Sequence, residues 1–470
     1  MKQLNRYRKL SLLLLTLGLS STALSAPWDN GPLVSKGHFL YNYKISTNTY
    51  TPFFYLADTA WTLNQFSDSE IQTWLSTRRN KGFTAIQVAP MRGWGHPFEK
   101  DAAGNLPFYG NAPTQFNTAY WNRWRWIADR AEEKGLYLVF HLGGAGRADS
   151  TYQCSTNQVC YEFGRKVSAY FRDKANIIYN IGLDEKPDYR GSVGVAGYRA
   201  IAEGVADGKN GSGSFDLAAA HATSWMSFHP GTNQGSSARW FHNDAWLDSN
   251  GFQTGSSGMS SVYSATTSDY KRTPAEPTLL IEGAYEDCPR NRCANYVVGP
   301  LDQRRQAWQT YLAGAAGFGY GVHCHWVASN NSNSKCPTDF ARDLGNKLSK
   351  AAKSVEPLAK FFKSKPFDTF KPDQGIIASN VRSGVQRRVA ASRTDKREFY
   401  VYFPETSSGA SSIRMNRISS GSGVVVAQWW NPATDPVSGT KQAAGEYLTT
   451  STPSLKPPAW PDAVLIVRAK

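Results

Sequence analysis

Few carboxylates in this chain of 470 residues stand where they could do chemistry. The first lies in Thr278–Glu286, TLLIEGAYE. Its apolar half follows Glu276-Pro277 and has the character of a buried parallel strand, and Glu282 stands where that strand ends. A second apolar run, Asn176–Asn180, leads into Gly182-Leu183-Asp184-Glu185, and a third, Phe53–Ala57, leads into Asp58. A carboxylate at the end of a buried strand is costly unless it is paired or put to use. Two such groups about 5–5.5 Å apart can split a glycosidic bond with retention, one protonating the leaving oxygen and the other attacking the sugar. The acid must keep its proton near neutral pH, which burial or a like-charged neighbour provides. Glu282 fits the nucleophile. Asp184 or Glu185 fits the acid/base, and Asp184 is nearer its strand. The plainer readings are a strand-end salt bridge for Glu282 and a helix cap or loop ion pair for Asp184 and Glu185, the latter beside Lys186.

Such a pair needs strands that end on one side of the molecule. The pattern predicts strands at Phe53–Ala57, Thr84–Ala89, Leu136–Phe140, Asn176–Asn180, Asp216–Ala222, Gly251–Thr254, Thr278–Ile281 and Gly317–Val322. Helices are expected at Tyr120–Lys134, Glu162–Lys174, Val195–Ala206 and Leu301–Ala313, and another follows the capping box Ser67-Asp68-Ser69-Glu70 with Ile71, Trp74 and Leu75 as its apolar stripe. Strand and helix alternating over about 300 residues point to a (β/α)8 TIM-type barrel, whose catalytic groups stand at the C-terminal strand ends. A doubly wound sheet is the alternative, but no Gly-rich phosphate loop is present and polar residues end nearly every strand. From about Lys365 the period changes to short strands, at Gln374–Ala378, Arg388–Ser392, Phe399–Phe403, Val424–Trp430 and Ala463–Val467, and predicts a small all-β sandwich domain. The domain division is therefore 1–26, 27–364 and 365–470. Trp429-Trp430 could form a sugar platform, although packing against the neighbouring domain suits the pair better.

Residues 1–26 are expected to be a signal peptide, with Lys2, Arg6, Arg8 and Lys9 ahead of the apolar Leu10–Leu19 and small residues at Ser21–Ala26. The apolar run is too short to span a bilayer, so the expectation is an exported protein, secreted or periplasmic, without a transmembrane segment. Six cysteines fall in local pairs, Cys154/Cys160, Cys288/Cys293 and Cys324/Cys336, which suit disulfides in an oxidising compartment. The competing reading is zinc at His323-Cys324-His325, but no supporting carboxylate is apparent, and neither metal nor cofactor is expected. Aromatic residues make up 13% of the chain, a richness that suits stacking on sugar rings as well as an aromatic core. The net charge of +15 would draw an anionic polysaccharide, a membrane surface or nucleic acid. No nucleic-acid motif accompanies it, so no nucleic-acid partner is expected.

Phe54–Trp61 (FYLADTAW), Lys81–Val88 (KGFTAIQV), Phe228–Gly231 (FHPG), Trp246–Thr254 (WLDSNGFQT), Glu282–Glu286 (EGAYE) and Gly314–Tyr320 (GAAGFGY) occur in an order that resembles the apiosidase-like glycoside hydrolases. Trp429–Pro432 is similar to the C-terminal β-domain of that group, which carries a collagen-binding label. The resemblance implies a retaining (β/α)8 hydrolase. It places the acid/base at Asp184, where the family's Gly-Gly-Asp is Gly182-Leu183-Asp184, and the nucleophile at Glu282, where its Glu-Pro-x-Tyr-Glu is Glu282-Gly283-Ala284-Tyr285-Glu286. Both departures sit beside catalytic positions, so the sugar need not be the apiose of characterised relatives. Asp58 and Trp61 would then lie in the sugar subsite, with Gln87, His141, His229, His242, Tyr285, Glu286, His323 and Trp326 as further substrate contacts. For each histidine the plain alternative is a hydrogen-bonded structural residue.

The expected activity is thus hydrolysis of a complex, acidic polysaccharide, a plant pectic side chain or a bacterial exopolysaccharide. The rival is a carbohydrate- or matrix-binding protein on the same fold that has lost catalysis. A collagen-cleaving protein lacks its motif, since no His-Glu-x-x-His is present.

Overall fold

Tyr55–Thr59, Ala85–Val88, Tyr137–His141, Ile177–Asn180, Met226–Ser227, Asn250–Gln253, Thr278–Glu282 and Gly317–Tyr320 pair in parallel. They are β4 to β11 in chain order, because an antiparallel lead-in of β1 (Leu33–Lys36), β2 (Phe39–Lys44) and β3 (Thr49–Pro52) precedes them. The parallel sheet runs β8-β7-β6-β5-β4-β11-β10-β9. A parallel bridge from Ser227 to Ser249 joins its two ends, and Asp248 N donates to Met226 O across 2.8 Å. The sheet therefore closes, as the (β/α)8 expectation requires. This computed structural model describes residues 26–91, 100–110, 112–144, 152–189, 192–215, 224–255, 258–288, 296–323, 325, 348, 350 and 352–470. The expected signal peptide and the expected strand at 216–222 lie outside these residues or nearly so.

Alternation along each strand divides the core in two. Tyr55, Ala57, Tyr137, Val139, Ile178, Leu279 and Ile281 fill the barrel, while Leu56, Leu280, Phe318 and Tyr320 face the surrounding helices. Gly319 is needed on the inner face, because a Cβ there would stand 1.8 Å from the Ile281 carbonyl oxygen. Helices α1 (Asp68–Asn80), α2 (Thr118–Glu132), α3 (Asn157–Tyr170), α4 (Gly194–Asn210), α5 (Ala238–Phe241), α6 (Val262–Tyr270), α7 (Pro300–Leu312) and α8 (Glu356–Lys363) follow in order. The capping box of α1 forms as read, with Ser67 accepting from Glu70 N and Glu70 accepting from Ser67 N. Cys154 and Cys160 are bonded, with Cα atoms 5.2 Å apart, and pin the start of α3. Cys288 is also in a disulfide, while Cys293, Cys324 and Cys336 lie outside the described residues. No described helix is long and apolar enough to cross a membrane.

Two strands differ from expectation. The fifth barrel strand among the described residues is Met226–Ser227, so the segment expected as a loop from Ser227 begins inside it; the strand expected at 216–222 lies outside the described residues. Two residues carry too little periodicity to betray a strand; pairing with Tyr179 and Asn180 defines it. The first barrel strand runs to Thr59, so Asp58 lies within it rather than beyond it.

The C-terminal domain is a six-stranded antiparallel sheet of β12 (Phe370–Pro372), β13 (Val389–Arg393), β14 (Glu398–Phe403), β16 (Val424–Trp430), β17 (Lys441–Leu448) and β19 (Ala463–Ala469), beside a small pair, β15 (Ser411–Ser412) and β18 (Ser454–Leu455). The expected strand at Gln374–Ala378 is a 3-10 turn over Gln374–Ile376. The exposed edge strand β17 has too few buried residues to show an apolar pattern. Trp429 and Trp430 point to opposite faces. Trp429 packs on Phe403 inside the domain, and Trp430 stacks on Phe361 of α8 with centroids 5.2 Å apart. Packing, and not a sugar platform, accounts for both. Arg304 of α7 grips Asp462 through two bonds of 2.7 and 2.8 Å, which also locks the barrel to this sheet.

Candidate active site

Glu282 ends β10 at a register shift between Leu280 and Glu282. Strict alternation would send it outward after Leu280, and an irregularity of this kind re-aims a side chain. Its carboxylate instead meets His229, with Oε2 3.3 Å from Nε2. The backbone beyond is clamped by α7: Gln306 Oε1 accepts from Ala284 N at 2.7 Å, and Gln303 Nε2 donates to Ala284 O at 2.7 Å. A Cβ on Gly283 would stand 2.6 Å from Gln306 Oε1. Glycine in place of the expected proline therefore makes room for that clamp.

The loop after β7 is built by pairing with the loop after β8. Glu185 N donates to His229 O, and Gly231 N donates to Glu185 O. Asp184 adopts φ = 58°, a left-handed conformation that aspartate tolerates better than most residues, and its Oδ1 accepts from Thr232 N at 3.3 Å. It stays half-buried, whereas Glu185 is buried and its Oε1 faces Gly144 N. Leu183, where the resemblance led one to expect glycine, packs with Trp61 and Ala89. Gly143 admits it, since a Cβ there would stand 2.4 Å from the Leu183 Cβ.

The structure brings Trp61, Gln87, His141, His229, Tyr285 and Glu282 together at the C-terminal end of the barrel. Trp61 Nε1 donates to Tyr285 OH at 3.2 Å, and its ring meets His141 edge-on at 4.8 Å. Gln87 lies beneath, donating to Thr59 Oγ1 at 3.2 Å and to Ile281 O at 3.0 Å. His141 and His229 are fully buried, with their Nδ1 atoms 3.3 Å apart. Burial, and after it the charge of His229, holds His141 well below the usual histidine range, against a Gly182 backbone bond that favours the proton. The two histidines therefore support the pocket from behind and present no surface of their own. Half-buried His323 follows β11 on the same side of the barrel, and its N donates to Glu286 O.

Three expected contacts stand elsewhere. Asp58 faces outward, pairs with Arg78 of α1 at 2.6 Å and accepts from Trp74 Nε1 at 2.8 Å. Glu286 is buried behind β11, where Tyr320 OH donates to it, and burial pushes its carboxyl up. His242 lies at the opposite end of the barrel, beside Asn250 at the start of β9 and 3.4 Å from Glu276. Strand phase and loop path put these residues on the wrong face or the wrong end for a substrate at the mouth. Trp326 lies outside the described residues. Arg78 was missed, although its place on the stripe of Ile71, Trp74 and Leu75 is a visible signal: a cation there needs a buried anion. The His141–His229 contact left no sequence signal. No group of three His, Cys, Asp or Glu side chains that could hold a metal occurs among the described residues.

Residues 42–369 match the family model described as the apiosidase-like catalytic domain, and 371–468 match one described as "putative collagen-binding domain of a collagenase". No curated protein matches the chain in sequence. Among solved structures, a glycoside hydrolase family 5 protein from Bacteroides vulgatus is 22% identical, with a TM-score of 0.78 over 95% of this chain and 94% of that one. A second, described only as a glycoside hydrolase, is also 22% identical, with a TM-score of 0.78 over 95% and 98% of the two chains. At this identity the likeness is one of fold, and it covers both domains.

Proposed function

This chain belongs to the apiosidase-like family and is a glycoside hydrolase, and from that premise we propose that it is an exported, retaining enzyme acting on a complex acidic polysaccharide. The observation that carries the mechanism is the placement of Glu282 and Asp184 at the C-terminal ends of β10 and the β7 loop, with His229 against Glu282. The Glu282 carboxylate attacks the anomeric carbon while Asp184 gives its proton to the leaving oxygen, leaving a glycosyl ester on Glu282. Asp184 then takes a proton from water as that water attacks the same carbon, and Glu282 is released. The left-handed backbone at Asp184 is the kind of outlier that clusters at functional sites. An acidic substrate is supported by the net charge of +15, of which about four charges belong to the expected signal peptide.

The test is product release from a panel of plant pectic and bacterial acidic polysaccharides, comparing wild type with Glu282→Gln. A sugar released by wild type alone fixes the reaction class and names the substrate. Equal release by Glu282→Gln removes the nucleophile assignment. Binding of one polymer with no product anywhere favours the non-catalytic carbohydrate-binding reading.

A further inference from the structure

Helix α7, PLDQRRQAWQTYL, is rich in polar residues, yet ten of its thirteen residues are buried. A helix on the outside of a barrel ordinarily leaves its polar face in water. The C-terminal sheet covers this one, so its buried polar groups need partners within the protein. They find them on two sides. Gln303 and Gln306 lie one turn apart on the face toward the barrel, and Arg304 and Trp308 lie one turn apart on the face toward the sheet. On the barrel side, Gln306 Oε1 accepts from Ala284 N and Gln303 Nε2 donates to Ala284 O, both at 2.7 Å. The helix thus holds the two polar backbone groups of a residue that follows Glu282 by two positions. Glycine at 283 gives the chain between them more backbone freedom than any other residue would, and the clamp restricts it.

On the sheet side, Arg304 Nε and Nη2 donate to the two carboxylate oxygens of Asp462 at 2.8 and 2.7 Å, across 158 positions of sequence. The side chains are 7% and 0% exposed, and Tyr402 OH donates to Asp462 Oδ2 at 2.9 Å. A two-pronged bond of this kind fixes direction as well as distance. Trp308 stacks on Tyr402 with centroids 5.6 Å apart, and Gln309 Nε2 donates to Arg387 O at 3.1 Å. A slip of α7 along its axis would break the Asp462 bonds and the Ala284 bonds together.

We propose that Arg304 and Asp462 are positioning residues: Asp462, from the C-terminal domain, sets where α7 stands, and α7 through Gln303 and Gln306 sets the backbone that aims Glu282. The C-terminal sheet is thereby part of what orients the nucleophile. The proposal rests on the reading of Glu282 as nucleophile.

The experiment uses the full chain and the polysaccharide that the panel identifies. Gln306→Ala removes the clamp. An apolar variant, Arg304→Met with Asp462→Leu and Tyr402→Phe, replaces the buried polar group by side chains that need no partner, an exchange proteins often tolerate without loss of stability. Gln306→Ala should lower kcat by roughly 10²-fold, the scale of a misplaced reacting group, with KM within about threefold. The apolar variant should lower kcat by about tenfold or more, also with KM nearly unchanged. Adding Gln306→Ala to it should cost little beyond Gln306→Ala alone, because both break one chain of contacts, whereas independent roles would multiply the losses. Hydrogen exchange of the wild-type protein in rising urea should find the amide of Ala284 opening together with those of α7, β14 and β19. This measurement stands even if the variants fail to fold. Exchange of β14 and β19 while Ala284 stays protected overturns the proposal alone. So does wild-type kcat in the folded apolar variant, or multiplied losses in the combined one, while Glu282→Gln is inactive. Wild-type turnover in Glu282→Gln instead removes the nucleophile reading, and the proposal with it.

Discussion

Strand β10 has a glutamate near each end, and each faces a histidine. Glu282 at the mouth lies 3.3 Å from His229, and Glu276 at the foot lies 3.4 Å from His242. Their side chains are equally covered, at 16% and 15% exposure, so neither pairing nor burial tells them apart. Their neighbours do. At the foot, burial pushes Glu276 up to about 8, helped by the negative charges of Asp248 and Asp269, and burial takes Asp248 up to about 7. These carboxyls hold protons chiefly because they are buried, and at Glu276 the neighbouring carboxylates add to the effect. At the mouth, Glu282 and Asp184 come from different strands, and the His229 that meets Glu282 is stacked on Trp61, which donates to Tyr285. On the proposed reading, the same residue pair is a structural element at one strand end and catalytic machinery at the other, in keeping with the division of labour between the faces of a (β/α)8 barrel.

The largest effect that could break this comparison is the pair of glutamate-to-glutamine changes. Glu282→Gln should lower kcat by roughly 10³-fold or more without loss of fold, while Glu276→Gln leaves kcat within threefold. Comparable losses in steady-state assays of both variants would erase the distinction. Within the mouth, Asp184→Asn should cost roughly 10² to 10⁴ in kcat on natural linkages, and much less on aryl glycosides whose leaving group needs no proton. A uniform loss across leaving groups would move the acid role elsewhere, with buried Glu185 the next residue to test.

A third contrast sets the mouth against the outer face. Arg78→Met leaves Asp58 buried and unpaired, which typically costs about 3–5 kcal/mol. Urea unfolding should register that loss while KM stays put; a changed KM with unchanged stability would return Asp58 to the substrate subsite. The smallest effect belongs to the foot. Because the folded state raises Glu276 and Asp248 above their unfolded values, it binds more protons than the unfolded chain. Stability should therefore fall as pH rises from about 4 to about 8. Thermal unfolding across that range should show the slope in wild type and a shallower one in Glu276→Gln. An identical slope in both would mean that the foot does not titrate as its burial implies.

Much of the molecule was legible beforehand, and the exceptions share a cause. The apolar run of Thr278–Ile281, the capping box at Ser67–Glu70 and the Cys154/Cys160 spacing each act over a few residues, and the fold keeps all of them. Asp58 and Glu286 were legible as carboxylates near strand ends but not as outward-facing ones. The side chain's face follows the phase of a two-residue alternation, and because the first strand runs on to Thr59, Asp58 lies inside it on the outer face, with Tyr55 and Ala57 toward the core. His242 was legible as a polar residue near a strand but not as one at the foot, because its place follows from the path of a loop.

The sequence by itself determined most of the barrel's strands and its longer helices, the change to an all-β domain near Lys365, and the two short stretches that carry Asp184 and Glu282. These follow from residue type and local spacing, which need no knowledge of distant partners. Tertiary structure alone decided that Glu282 turns inward at a register shift, that His141 and His229 meet nitrogen to nitrogen behind it, and that Asp58 spends its charge on Arg78. Each of these depends on the registers at which separate strands pair and close the barrel, a long-range condition that no stretch of chain carries alone.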